Sequence, residues 1–546
     1  MLRYLDPRER SLQINGLTHF ELIVLLLLVL VAFLAVLAKR VHIPYPIVMV
    51  IGGLFVSFLP HIPRVALDPN VVFLVFLPPL LFSASFHISW RDFRDNLVSI
   101  VMLAFGLVGF SLFGVAVTAR AMIPGFDWKL GLVLGAVVAA TDAIAATSTA
   151  KRLGLPRGIV DLLEAESLVN DGSGLLALKF TAAMVVTGVT PTLLQGTGQL
   201  FYLIAMAVFI GLVVGVVVNF FQSRISESPV EITISLVTPY VTYLVAESVH
   251  CSGVLAVIAS GLYLGRRSSG FYSLNARIEA SAFWRTLDFI LNGLVFLLLG
   301  LQLPAILADI HDLTRTQLLV DGTIFSAIVI LLRLLWVFPG AWLSEKIRHH
   351  VLRRREQRLS PRLVFLVGWA GMRGVLALAA AMSLPVRLNS GAPFPQRSLI
   401  IFLTFCAIFA TLVVQGLSMP ALIRRLGLGG YSASHEEETR ARHEMIAGAL
   451  QAIEQMRADS NSSVEALKAM EGYYQRQLTL LESSDTDSQS TAKDEAEALF
   501  LLGHKLRAVE RGVVLRLRNE DQIHDEVLRT LERELDLLDA RFARSV

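Results

Sequence analysis

Residues 166–171 read Glu-Ser-Leu-Val-Asn-Asp, inside a run apolar enough to cross a lipid bilayer. Residues four apart share a helix face, so Glu166 stands over Asn170 and Ser167 over Asp171. Two carboxylates, an amide and a hydroxyl make one side of this helix a row of oxygen donors, the ligand type that hard cations need. An ionisable group at the centre of a membrane helix costs roughly 2.5–3.5 kcal/mol, so it is retained where it has a task. Cation binding is the chemistry this row suits; a purely structural ion pair is the competing explanation for any one of the charges. Two more polar interruptions fall in apolar runs: ATDAIAATSTA (140–150), with Thr141 and Asp142, and GWAGMRGVLALA (368–379), with Arg373.

The elements that must position these groups are membrane helices. Of 546 residues, 54% are hydrophobic and 17% charged, more apolar surface than a water-soluble fold of this size can hide. Runs of about 20 apolar residues recur along the chain, each long enough to span ~30 Å of hydrocarbon. The fold expected is an all-α polytopic membrane protein. A β-barrel would show short alternating segments instead. Thirteen candidate spans lie between 19–38 and 398–423, and no cleavable signal is expected ahead of them. Lys and Arg number 18 in the loops on one side and 6 on the other, which puts the N-terminus outside and the C-terminus in the cytoplasm. The domains expected are a transmembrane part, 1–423, and a cytoplasmic helical tail, 424–546. The tail holds 17 Lys/Arg against 23 Asp/Glu, and Leu528, Leu531, Leu535 and Leu538 follow a helical spacing near its end. The polar stretch 483–495 reads as a loop within it. A dimerising or regulatory role and a merely solvated appendage are both open for this tail.

Thirteen spans divide as six, one and six, the plan of an inverted repeat. The second member of each set is short (44–59 and 252–265), and the fifth is interrupted by the two polar stretches above. A helix broken at membrane depth exposes free N–H and C=O groups, which protein or a water-filled cavity must satisfy. Two such helices, crossing, bring like helix ends together. Asp142 is placed to offset the positive ends and Arg373 the negative ones. Among the remaining polar residues, Asp161 and Glu164 are expected at the cytoplasmic entrance, and Lys179 near a span end. Glu247 and Asp288 with Arg333 are candidates for a second buried charge group. His87 and His250 fall at span ends, and Cys251 and Cys406 read as packing residues.

TDAIAATS, AESLVNDGSGLLALKF, YLVAESVHCSGVLAVIASGL, LNGLVFLLLGLQLP and GMRGVLALA, in that order, resemble the bacterial Na⁺/H⁺ antiporters of the monovalent cation:proton antiporter-1 family. The resemblance runs through nearly all of residues 20–425. It implies that family's fold, a homodimer in the cell membrane, and Na⁺ and H⁺ as transported ions. It implies an ion site at Asn170 and Asp171, with Thr141 and Asp142 as the partner motif on the broken fifth span. It also implies a supporting ion pair between Glu166 and Arg373. One departure stands in FLPPLLFSASFHISW, where many relatives carry a carboxylate and this chain has Ser83; this loosens the expectation of Na⁺ over K⁺ or Li⁺. On this reading a proton and a cation compete for Asp171, with Asn170, Ser167, Thr141 and Asp142 around the cation. Because Asn170 is neutral, electroneutral exchange is expected. No cofactor and no nucleic acid is called for. An intramembrane protease built on Ser173 would need a histidine at membrane depth, and a channel would need a filter sequence; neither is present.

Overall fold

The computed structural model describes residues 7–60, 68–190, 192–310, 313–350, 360–428, 433–458 and 464–482, with a few positions between 506 and 531. The chain forms two compact units, Met1–Tyr431 and Ser432–Val546. Within the described residues of the first unit everything regular is helical, apart from one isolated bridge between Arg387 and Pro393. Apart from the short helices Trp90–Asp95 and Leu303–Ala308, the helices are α1 (Pro7–Val41), α2 (Tyr45–Ser57), α3 (Pro69–His87), α4 (Leu97–Met122), α5 (Trp128–Ala139), α6 (Ile144–Arg152), α7 (Arg157–Thr187) and α8 (Leu193–Gln222). There follow α9 (Ser228–Ser248), α10 (Gly253–Phe271), α11 (Leu274–Leu301), α12 (Arg315–His350), α13 (Pro361–Trp369), α14 (Val375–Met382) and α15 (Arg397–Leu426). Among the described residues nine helices are long and apolar enough to cross a membrane, with α5 and α6 taken as one.

The helix starts follow local chemistry. Asp127, Ser252, Ser273 and Ser360 each accept a hydrogen bond from a backbone N–H of the first turn, and Thr192 with Gln195 closes a capping box. The long α7 ends at Gly188, which takes a left-handed φ of 74°. Three helices each contain one widened π turn: Val72–Phe76 in α3, Met102–Gly106 in α4 and Thr411–Gln415 in α15. Such turns loosen the regular ladder and leave carbonyls for other partners. Here Ala104 O accepts from Ser173 (2.7 Å), Met102 O from the Trp336 indole (3.1 Å) and Val75 O from the Tyr240 hydroxyl (3.1 Å).

Outward faces of α1 and α8 carry Leu25, Phe33, Phe201 and Phe209 uncovered, as contact with lipid tails permits. The interior is closed by near approaches between helices. At the crossing of α2 and α11, a Cβ on Gly53 would stand 2.3 Å from Leu297 O, and one on Gly300 2.2 Å from Val50 O. Only glycine lets these two backbones meet. In the second unit, α16 (Ala433–Ala458) and α17 (Val464–Glu482) bury Ile446, Ile453 and Leu467, and Arg457 pairs with Glu471. The loop 483–495, three of the four leucines near the end of the tail, and most of the basic stretch 346–362 lie outside the described residues.

Candidate functional site

Both interrupted stretches are places where a helix breaks. Residues 140–143 separate α5 from α6, and residues 370–374 separate α13 from α14. The breaks touch each other directly, because Asp142 N donates to Met372 O at 2.7 Å. Four helix ends therefore meet in one place, with backbone groups that no helix satisfies.

The side chains answer those groups one by one. Asp142 Oδ1 accepts from Ile144 N at 2.8 Å, at the start of α6. Ser167, on α7, accepts from Ala143 N at 3.2 Å and donates to Thr141 O. Asn170, completely buried, donates from Nδ2 to the Thr141 hydroxyl (3.0 Å) and to Glu166 Oε1 (3.2 Å). At the other pole Arg373 Nη1 donates to Ala139 O (2.8 Å) and Ala140 O (3.3 Å), the C-terminal end of α5. Its own backbone N–H donates to the Thr411 hydroxyl in the π turn of α15. A carboxylate at helix N-termini and a guanidinium at a C-terminus match the partial charges there.

Glu166 does not pair with Arg373, and the sequence expectation is corrected on this point. Its carboxylate takes two bonds from Arg333 of α12, Nη1 to Oε1 at 2.5 Å and Nη2 to Oε2 at 3.0 Å. The same guanidinium donates from Nε to Gly368 O (3.0 Å) and from Nη2 to Val367 O (3.1 Å), so it also covers the C-terminal end of α13. Gly371 makes this possible: a Cβ there would lie 1.8 Å from Arg333 Nε. Arg373 is drawn instead toward the carbonyls of α5, because the break that carries it crosses that helix end. The second buried charge group does not form either. Arg333 belongs to Glu166, Glu247 takes two bonds from Lys179 at 3.0 Å each, and Asp288 accepts from Ser83 at 2.5 Å.

A cavity of about 520 Å³ opens onto this crossing. Thr141, Asp142, Ser167 and Asp171 line it, together with Ser83 and Asp288 from α3 and α11. Glu164 lies along it, paired with Lys151 at 2.7 Å. Among the described residues no hydrogen bond or ion pair engages the Asp171 carboxylate. Asn170 Oδ1 is likewise buried without a partner among them. An oxygen-rich pocket with an unanswered carboxylate suits a small hard cation. Ser173 donates its hydroxyl to Ala104 O at 2.7 Å and to Asn170 O at 3.2 Å, and neither partner is a base that could activate it. The sequence groups Arg333 and Asp288 as buried charges and leaves their individual partners open. An arginine inside an apolar run was the signal available for the first, but several carboxylates were eligible to answer it.

The family model described as "Sodium/hydrogen exchanger, transmembrane" matches residues 25–425. An uncharacterized Na⁺/H⁺ exchanger of Mycobacterium tuberculosis is 33% identical over 536 residues, covering 97% of each chain. A sodium, potassium, lithium and rubidium/H⁺ antiporter of Bacillus subtilis is 30% identical over 544 residues, covering 96% of this chain and 78% of its own. In fold the chain is similar to the sodium proton antiporter MjNhaP1 of Methanocaldococcus jannaschii, with a TM-score of 0.59 at 19% identity over 76% of this chain and 100% of that one. The chain belongs to the sodium/hydrogen exchanger family, as a Na⁺/H⁺ antiporter of the monovalent cation:proton antiporter-1 type.

Proposed function

We propose that the protein exchanges Na⁺ for H⁺, one for one, by competition of the two ions for Asp171. The observation that carries this reading is a count of charge at the helix crossing. Three carboxylates (Asp142, Glu166, Asp171) meet two guanidinium groups (Arg333, Arg373). Glu166 is matched by Arg333, while Asp142 and Arg373 serve opposite helix ends. Asp171 is left over, and either one cation or one proton neutralises it. In a low-dielectric site an unmatched charge is costly, so the group does not stay empty. Asn170, Ser167, Thr141 and Asp142 supply the neighbouring oxygens for the cation. Asn170 is held in place by Thr141 and Glu166, which keeps its carbonyl oxygen free for the ion.

The wider arrangement belongs to the same proposal. Thirteen crossings form a six, one and six inverted repeat, with the N-terminus outside and the cavity facing the cytoplasm. Support comes from matching contacts: α2 crosses α11 through Gly53 and Gly300, and α10 crosses α3 through Gly261 and Gly265. In the proposed numbering these are spans two with ten and nine with three. Arg373 and Arg333 also cover the C-terminal ends of the first halves of both broken helices. Exchange follows when the site rocks between faces. A homodimer in the cell membrane serving intracellular pH and sodium balance completes the reading. Li⁺ or K⁺ in place of Na⁺ is the second reading, favoured by the cation range in the name of the Bacillus subtilis relative.

Asp171→Asn tests the core of the proposal. In proteoliposomes the variant should lose Na⁺-driven proton movement while keeping the elution profile of the wild type. Normal exchange by a well-inserted Asp171→Asn protein would falsify the competition mechanism.

A further inference from the structure

Asp288 stands outside the helix crossing, yet it lines the same cavity from another wall. Its Oδ2 accepts from Ser83 at 2.5 Å, while Oδ1 is buried with no partner among the described residues. One turn further along α11, on the same face, lies Asn292. This amide lines the cavity at 8% exposure, and among the described residues nothing hydrogen-bonds to it. The Asn292 amide opens onto the cavity with its hydrogen-bonding positions unused by protein, beside a carboxylate with one free oxygen, so the space between them is left for water or an ion. His87 fixes the local backbone, its Nδ1 donating to Ser83 O at 2.7 Å. Arg285, one turn before Asp288, also lines the cavity, and no ion pair joins the two.

We propose that Asp288, Asn292 and Ser83 form a second monovalent-cation site in the cavity, one that a cation occupies on its way to Asp171. The ligands would be Asp288 Oδ1, the Asn292 amide oxygen and a lone pair of the Ser83 hydroxyl, three hard oxygen donors on two helices. The position of Ser83 takes on a meaning here. Ser83 Oγ lies 2.5 Å from Asp288 Oδ2, so a carboxylate at position 83 would stand close to Asp288, and like charges in close contact disfavour ionisation of both. With serine on α3, one ionised acid on α11 is compatible with its neighbour. The site raises the local cation concentration next to Asp171 without adding a charge to the helix crossing, so it leaves one-for-one coupling unchanged. This inference rests on the exchange reading above, and the two are tested separately.

The first measurement is equilibrium binding of radioactive sodium to the purified full-length protein at alkaline pH. Asp171→Asn should retain a bound fraction that the double variant Asp171→Asn/Asp288→Asn lacks. If Asp171→Asn alone abolishes binding, or if the double variant binds as the single one does, the second site does not exist. The second measurement is exchange in proteoliposomes. Asp288→Asn should raise the apparent KM for Na⁺ about tenfold, or roughly 1.4 kcal/mol of binding, with kcat little changed. Asn292→Ala, which leaves the Ser83–Asp288 contact alone, should move KM the same way, and Asp288→Glu should restore part of it. An unchanged KM in both Asp288→Asn and Asn292→Ala overturns the proposal. Retained exchange in Asp171→Asn would instead defeat the exchange reading and leave the binding result to judge Asp288.

Discussion

Glu166 and Arg333 share two hydrogen bonds in a place where both side chains are almost wholly shielded, at 1% and 2% exposure. Taking two charges out of water is expensive, and the pair is tolerable because nearly every donor and acceptor is used. Arg333 serves Gly368 O and Val367 O as well, and Glu166 receives Asn170. Removing one partner strands the other. Glu166→Gln and Arg333→Met should each lose about 3–5 kcal/mol of stability, read as thermal unfolding in detergent. A double-mutant cycle should show strong coupling between Glu166 and Arg333, and weaker coupling between Glu166 and Arg373. The reverse order would return Glu166 to Arg373. The pair Lys179–Glu247 makes an instructive contrast, with side-chain exposures of 57% and 33%. Water screens it, so Lys179→Met should cost under about 1 kcal/mol despite equally good geometry.

At the scale of elements, the broken helices work because each exposed end is answered by a side chain from a neighbouring helix. Breaking α13 at 370–374 also needs room for the Arg333 guanidinium to pass. Gly371→Ala places a Cβ 1.8–2.2 Å from Nε, Cδ and Cζ of the Arg333 side chain. Arg333 is held at four hydrogen bonds and cannot swing aside, so the backbone of the break must shift. The expected cost is about 1–3 kcal/mol or more, with exchange impaired alongside. Gly109→Ala in α4 is the control, since a Cβ there meets nothing within 4 Å. It should be neutral or slightly stabilising, as alanine favours helix over glycine. Equal effects of the two substitutions in thermal melts and transport assays would remove the steric account of Gly371.

For the whole molecule, the charge count at the crossing has a direct electrical consequence. If Asp171 alternates between one cation and one proton, no net charge crosses per cycle, and a membrane potential should not drive transport. A valinomycin-clamped potential imposed on proteoliposomes under a fixed Na⁺ gradient should leave the rate unchanged. A rate that follows the sign of the potential would make Asp142 the first candidate for a second proton. The described residues that line the cavity all belong to the first unit, Met1–Tyr431. Deleting 435–546 should leave exchange detectable while shifting its pH profile or the dimer fraction. Complete loss of exchange in a well-inserted truncation would place the tail within the transport machinery.

Several features were legible in the chain alone because they are local. Apolar runs of sufficient length identify membrane helices whatever their neighbours, and a polar residue inside such a run stands out at once. Asp142, Asn170, Asp171 and the breaks near 140 and 371 are features of this kind. Helix geometry then placed Glu166 over Asn170, a contact of 3.2 Å between residues four apart. Partnership between distant charges is a different kind of fact. Two arginines, Arg333 and Arg373, stand inside apolar runs, and Arg333, 167 residues from Glu166, was chosen by the packing of α12 against α4, α13 and α15 and by the gap at Gly371. Asp288 was equally ambiguous until α11 set it against Ser83 on α3. Spacing along a chain carries the hydrophobic period of each helix. It carries no information on which faces of separate helices meet, and a buried charge takes the partner that tertiary packing brings within hydrogen-bond distance.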